Sequence, residues 1–371
     1  MKNKFCISPF LGINVSAIGD ITVCCANQER IAHLDDDIDW NNFLNSEKWN
    51  DVKLNVAAGT NRYCSGCIKK ELSGSSSRRL TINRNRHKTF LDIDLGNVCN
   101  LWCAMCESYY SSKWYSIDKD SILHNIRGGK LTKPFQITKK HLDIIGKIYP
   151  EIESCNLKGG EPLYYKNLDY LFKLLVDKKC LHLNIITNLT LLDDSIFEYL
   201  KKIDHVSFLV SVDGLGEVGN WIRYDKVSSS EIVLKNIEKL KLNGCSVDVL
   251  TCPQVYNFYH LPDFLTEMNR VFTKENSLSI KNIIVDRPLE INKLIPDDHK
   301  KSVIADLKSK KVNYRLEHLE NLITYTNRPS QINKYYQDLF IDYTTELNKL
   351  KTIDIWNYIP LLRDELNVQN K

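Results

Sequence analysis

From residue 89 onward, short β-branched runs alternate with longer amphipathic segments, an order that a sheet or barrel of parallel βα units accommodates. Six strands are expected: Thr89 to Leu95, Ile152 to Leu157, Leu183 to Thr187, Val206 to Val212, Val247 to Thr251 and Ile280 to Val285. Each is an apolar run too short to be a helix of its own. Helices fill the intervals, such as Lys139 to Tyr149, with Leu142, Ile145 and Ile148 on one face, and Ser230 to Asn243, ended by Gly244. Residues 1–88 read differently, as a small α+β module. There Phe10 to Val15 and Ile21 to Cys24 flank a turn at Gly19-Asp20, and a helix from Ser46 to Ala58 stops at Gly59. Beyond residue 290 the strand signal ends, and segments such as Gln331 to Lys351 make residues 291–371 a helical extension. The core is thus expected over residues 89–290.

Composition narrows the class. Across 371 residues, 43% hydrophobic and 26% charged content is that of an ordinary globular protein. A net charge of +4 gives no reason to expect nucleic acid or an anionic membrane as partner. Lys2 and Lys4 precede an apolar-leaning stretch, but Ser8, Pro9, Gly12, Asn14 and Ser16 interrupt it as a signal sequence. No apolar run approaches the roughly 20 residues of a membrane span. Twelve cysteines stand out, eight of them within the first 106 positions. That density is far below a disulfide-stapled scaffold, and the clustering points to metal ligation by reduced thiols, hence to a cytoplasmic location.

Cys99, Cys103 and Cys106 form a C-x3-C-x2-C triplet directly after the first βα strand, in LDIDLGNVCNLWCAMC. Three thiolates on one short loop can hold three irons of a 4Fe-4S cube and leave the fourth without a protein ligand. An open position is what a catalytic metal site needs. A zinc loop or three buried thiols are the alternatives. Zinc requires a fourth ligand close by, and the nearest histidine, His87, precedes the strand and belongs at its other end.

On these residues the chain resembles the radical S-adenosylmethionine (radical SAM) superfamily over roughly residues 89 to 290. The resemblance implies a partial (βα)6 TIM-like barrel whose SAM-binding 4Fe-4S cluster cleaves SAM reductively to a hydrogen-abstracting 5′-deoxyadenosyl radical. It also implies a reducing partner such as a flavodoxin or ferredoxin. The residue before the third cysteine is commonly aromatic in that family; here it is Met105, still apolar and beside the cofactor. Gly159-Gly160-Glu161-Pro162 follows the second strand and resembles the family's GGE segment, which meets the methionyl amino group of SAM; on its own it is equally a turn. Thr187-Asn188 ends the third strand and Ser211-Val212-Asp213-Gly214 the fourth, where Asn188, Ser211 and Asp213 are suited to hydrogen-bond SAM's polar groups. Arg223 suits a bidentate grip on the SAM carboxylate, although outside that context it is an ordinary surface arginine. All follow strand C-termini, where a parallel βα architecture places its site.

The N-terminal cysteines carry a second signal. Cys6, Gly19 and Cys24 fit the C-x(9-15)-G-x4-C opening of twitch and SPASM domains, and Cys64 and Cys67 add a C-x2-C. The resemblance implies a twitch-like module with an auxiliary 4Fe-4S cluster on Cys6, Cys24, Cys64 and Cys67. It departs from the better-known arrangement in preceding the core. A structural zinc site on the same four cysteines is the alternative. Cys25 adjoins Cys24, and alternation along a strand sends the two to opposite faces, with spacing favouring Cys24. The basic segment from Glu71 to Arg86, with Arg78, Arg79, Arg84 and Arg86, is either a solvated helix face or a contact for an anionic substrate.

Cys252 follows the fifth strand, where its thiol either donates a hydrogen atom to a substrate radical or is a small buried hydrophobe. Cys155, Cys180 and Cys245 read as packing residues; Tyr256, Asn257, Asp286 and Arg287 follow strands as candidate substrate contacts. The expected protein is a radical SAM enzyme acting on a small molecule or peptide. No separate leader-peptide recognition domain is read, which favours the smaller substrate. The alternative is a non-catalytic iron-sulfur or zinc-stabilised binding protein.

Overall fold

A computed structural model describes residues 5–27, 29–59, 61–72, 77–83, 89–119, 121–128, 130–223, 229–272, 278–280, 288–310, 316–351 and 353–368. The fold is α/β with parallel strands, and the chain divides into two compact units. The first comprises residues 1–99, 134–186 and 193–207; the second comprises 100–133, 187–192 and 208–371.

In the first unit, β1 (Gly12–Val15), β2 (Asp20–Thr22) and β3 (Ala32–His33) form an antiparallel meander. Beside it lie β4 (Phe90–Asp94), β5 (Ser154–Lys158) and β6 (His182–Thr187), in the order β3-β2-β1-β4-β5-β6. The expected turn is present, with Gly19 in the left-handed region at φ 84°. The expected strand from Phe10 begins only at Gly12, because Pro9 opens a helical turn at Ser8–Leu11. β1 also pairs in parallel with β4, Asn14 opposite Asp92, so the N-terminal hairpin extends the core sheet.

Alternation gives this sheet two unlike faces. Ile13, Val15, Leu91, Ile93, Cys155, Leu157, Leu183 and Ile185 are buried on one. The helices Lys139–Ile148 and Leu168–Asp177 bury Leu142, Ile145, Leu171, Phe172 and Leu175 in the same unit. Thr138 opens the first of these helices with a capping box to His141. The opposite face is polar: Asn14, Asp92, Asn156 and Asn184 occupy one register row across four strands.

The second unit holds β8 (Ser246–Thr251) and β9 (Leu278–Ile280), which are parallel, and most of β7 (His205–Ser211), in the order β7-β8-β9. The expected sixth strand, Ile280 to Val285, overlaps β9 at Ile280; the rest lies outside the described residues. Helices follow residue 290, the longest being Lys334–Lys351, as the pattern there implied. Among the described residues no helix is long and apolar enough to cross a membrane.

The β1–β4 contact depends on a missing side chain. A Cβ on Gly12 would lie 1.8 Å from the Phe90 carbonyl oxygen, which no rotamer change relieves. Gly12→Ala is expected to destabilise the chain by about 1–3 kcal/mol, the usual cost of overpacking, read as a lowered urea midpoint.

Candidate functional site

The Cys99 segment is built against the GG turn. Gly159 (φ 83°) and Gly160 (φ 52°) follow β5 in conformations that side chains resist. A Cβ on Gly160 would sit 2.3 Å from the Val98 carbonyl oxygen, and one on Gly159 would sit 2.5 Å from Asp94 Cβ. The glycines therefore let the turn press on the backbone that leads into Cys99. Glu161 donates its amide to the Val98 carbonyl (3.1 Å), and its buried carboxylate accepts the Leu163 amide (2.9 Å).

In the second unit, Cys103 and Cys106 lie on a turn closed by the Cys106 amide donating to the Cys103 carbonyl (2.9 Å), with Met105 between them, half-buried. Arg223, at the end of the helix Gly216–Arg223, is 3.9 Å from Cys103 Sγ through Nη1 and donates through Nε to Asp213. The Cys103 thiol faces the Arg223 carbonyl at 3.6 Å. Burial holds Asp213 above the ordinary carboxylate range, against the pull of Arg223. Burial likewise raises Cys103, against Arg223, and raises Cys106 to about 12 with Cys103 adding to the rise. Asp213 and Arg223, expected as separate SAM contacts, are here each other's ion-pair partner. Asn188 accepts from Thr190 through its carbonyl and donates to Asn100 (3.0 Å), while Ser211 ends β7, buried.

Sequence reasoning missed what holds this turn. Trp114 Nε1 donates to the Cys103 carbonyl (2.9 Å), Tyr343 Oη to the Ala104 carbonyl (2.6 Å), and Arg127 to the Cys106 carbonyl. Arg127 also pairs with Asp118 and stacks over Trp114 at 3.8 Å. These donors come from the helices Ser112–Asp118 and Leu123–Arg127 and, for Tyr343, from the C-terminal extension. A motif search sees ligands, and these residues carry no motif.

Cys252 donates its amide to Asp213 (2.6 Å), and burial raises its thiol to about 12. Tyr256 and Asn257, expected from sequence as substrate contacts, are both hydrogen-bonded within the fold. Tyr256 is buried with its hydroxyl on Thr344 (2.9 Å), and the buried Asn257 ties the Asp213 and Cys252 carbonyls together. Asp286 and Arg287 lie outside the described residues.

The N-terminal cysteines belong wholly to the first unit. Cys6, Cys24, Cys64 and Cys67 are all buried. Burial raises Cys24 to about 12, with Cys25, Cys6 and Cys67 adding to the rise, and Cys64 to about 11, with Cys6 and Cys67 adding. Cys25 turns away, toward Asp92, Lys158 and Arg78. In the basic segment, buried Arg79 pairs with Glu71, and Arg78 reaches Asp92 at 3.5 Å. Arg84 and Arg86 lie outside the described residues.

Among the described residues no three Cys, His, Asp or Glu side chains converge as ligands of a single ion would. A four-iron cube asks less convergence, since each thiolate binds a different iron. All-sulfur donors suit such a cluster; Cys6, Cys24, Cys64, Cys67 and Cys103 are buried, and Cys99 and Cys106 half-buried.

The family described as Radical SAM superfamily matches residues 93–267. A 7,8-dihydro-6-hydroxymethylpterin dimethyltransferase of Methanocaldococcus jannaschii is 28% identical over 34% of this chain and 22% of its own length. Among solved structures, anSMEcpe with bound AdoMet matches at 18% identity and TM-score 0.42, over 66% of this chain and 63% of that one. Streptococcus suis SuiB bound to precursor peptide SuiA matches at 16% and 0.38, over 81% and 64%. The chain thus spans about a fifth of the curated relative and under two thirds of these structures.

Removing the Tyr343 hydroxyl leaves the Ala104 carbonyl with no donor from that side chain. Tyr343→Phe is expected to cost about 1–3 kcal/mol, the penalty of a buried acceptor left unsatisfied, seen as a lower thermal midpoint. Trp114→Phe removes one of two donors from the Cys103 carbonyl, which keeps the Cys106 amide, so a smaller drop of the same midpoint is expected.

Proposed function

We propose that this chain, which carries a radical SAM superfamily domain over residues 93–267, is a radical SAM enzyme with an auxiliary iron-sulfur site. The observation that carries the reading is the C-x3-C-x2-C triplet lying inside that match, directly after β4. Cys99, Cys103 and Cys106 would hold three irons of a 4Fe-4S cluster. When bound, that cluster supplies the electron that cleaves SAM to methionine and a 5′-deoxyadenosyl radical.

The chain's own residues bind, orient and shield. Gly159, Gly160, Glu161 and Met105 border the cysteine segments, and Asn188, Ser211, Asp213 and Arg223 offer polar contacts to SAM. Arg223 beside Cys103 places positive charge where thiolate charge accumulates, which favours the deprotonated sulfur a metal needs. Trp114, Tyr343 and Arg127 fix the turn so that its thiols are presented in one arrangement.

Residues 1–88 act as the twitch-like module in this reading, with Cys6, Cys24, Cys64 and Cys67 as ligands of the auxiliary cluster. Support comes from their shared burial and mutual electrostatic coupling, and from Cys25 facing elsewhere. Those four cysteines would saturate such a cluster and leave it electron relay as its chemistry. A flavodoxin or ferredoxin is the electron donor, and the substrate is a small molecule or peptide.

Anaerobic reconstitution tests this. The wild type is expected to hold about two 4Fe-4S clusters and, with SAM and a strong reductant, to release 5′-deoxyadenosine. Cys103→Ala should release none, whereas Cys64→Ala should lose one cluster only. Zinc in place of iron, or iron without SAM cleavage, would leave a metal-stabilised binding protein instead.

A further inference from the structure

The polar face of the first unit's sheet holds an unusual set of side chains. Asp92 is buried between two cations, Lys158 at 2.9 Å and Arg78 at 3.5 Å. Lys158 also donates to Asn14 (3.3 Å), and Asn184 donates to Asn156 (3.4 Å) while accepting from Ser207 (3.0 Å). These groups satisfy one another, as buried polar groups must.

Asp94 does not join them. It sits two residues after Asp92 on the same face of β4, opposite Lys158 in register, and is 8% exposed. Its carboxylate accepts no hydrogen bond and forms no ion pair among the described residues, because Lys158 is committed to Asp92 and Asn14. Its Cβ lies against the Gly159 backbone, and Cys99 follows five positions later. Nearby, the buried Nε of Arg78 also lacks an acceptor. A carboxylate with only this sliver of exposure and no protein donor has little water to give up and gains most from a ligand that supplies donors.

We propose that Asp94 is the anchor of a substrate subsite on this polar face, and that its ligand presents a fork of paired N–H donors. The role as substrate site rests on the radical SAM reading; the binding does not. A fork of two N–H groups meets both oxygens of one carboxylate, the geometry that makes such pairs strong and directional. With Asp94 ionised, two carboxylates balance two cations among Asp92, Asp94, Lys158 and Arg78, so the site accepts either a cationic amidinium or the neutral amino-imino edge of a nitrogen heterocycle. Asn156 and Asn184, one register row further along the strands, offer donors and acceptors to the remainder of the ligand.

Titration provides an independent check. Burial raises Asp94 to about 6 against the pull of Lys158, with Asp92 adding to the rise. Around it stand Lys158 on β5, Asp92 on its own strand, and Arg78 and Cys25 beyond Asp92. A carboxylate that anchors N–H donors loses them on protonation, so binding should fall as pH drops through 6.

The test uses the reconstituted full chain and ligand-observed saturation-transfer NMR with three probes of similar size. Benzamidinium carries a charged fork, isocytosine a neutral one, and benzoate no N–H donor. At least one fork probe is expected to bind at pH 8, to weaken tenfold or more at pH 5 and in the near-isosteric Asp94→Asn, and to outbind benzoate. Which fork binds identifies the charge class of the ligand. Equal binding to wild type and Asp94→Asn, a flat pH profile, a preference for benzoate, or no fork binding would each overturn the proposal. The wild-type pH profile stands even if the variant fails to fold. 5′-deoxyadenosine release measured on the same sample separates the two failures: SAM cleavage without fork binding rejects only the subsite, and fork binding without SAM cleavage rejects only the enzyme.

Discussion

Strand β4 has to serve two chemistries at once, and the rest of the site depends on how it does so. Its five residues alternate, sending Leu91 and Ile93 to the apolar side and Asp92 and Asp94 to the polar one. A slip of one residue would bury two carboxylates among Cys155, Leu157 and their neighbours, so the register is strongly specified. The same register sets where β4 ends, and with it the backbone of Gly96 to Val98 on which the GG turn closes. Gly12 on one side and Gly159 and Gly160 on the other let neighbouring backbone approach this strand and its exit. Close approach on both sides leaves the path into Cys99 little room to wander.

Beyond Cys99, the turn bearing Cys103 and Cys106 has no regular structure to satisfy its carbonyls. Apart from the Cys106 amide on the Cys103 carbonyl, three side chains do so, from Trp114, Tyr343 and Arg127. This division of labour suits a loop that must present thiols. Backbone groups paired in a ladder would bind the segment into a strand or helix and fix side-chain direction by periodicity, whereas side-chain donors hold the carbonyls and leave the sulfurs to be aimed by the turn itself. It also gives the helix Lys334–Lys351 a reason to exist beyond packing, since its Tyr343 reaches into that turn.

Much of this was legible in the sequence. Five of the six expected core strands fell within about two residues of expectation, because β-branched runs between turn signals are a strong local cue; of the sixth, only Ile280 falls in a described strand. The cysteine triplet and its place after the first βα strand were readable as spacing. What spacing could not reveal is anything that depends on tertiary approach. The Asp213–Arg223 pair joins residues ten apart through a helix that turns back on its strand, and spacing gave no sign that the two side chains meet. Tyr343 acts on a residue 239 positions away. Asn257 looked like a substrate contact by position, yet its amide is consumed in bracing the Asp213 loop. That Cys24 is buried while Cys25 is exposed beside Asp92 was also hidden, because it depends on which face of the chain the fold covers.

The two cysteine sets share an electrostatic predicament that explains why they are worth burying. Desolvation raises Cys6, Cys24 and Cys64 in one set and Cys103 and Cys106 in the other, so each stays a neutral thiol on its own. A buried thiol resists ionisation because its charge has lost its water, and a second thiolate beside it makes matters worse. A cluster of iron and sulfide reverses that balance, since its positive metal ions replace the missing solvent and turn mutual repulsion into shared ligation. Partial help is already built in: Arg223 stands beside Cys103, and Arg79 lies near Cys64 and Cys67 while held by Glu71. Each arginine lowers the cost of a nearby thiolate, but burial still dominates and keeps these thiols neutral. Burial of this kind favours sites that hold charge only when loaded, and it keeps the sulfurs away from adventitious oxidation when they are not.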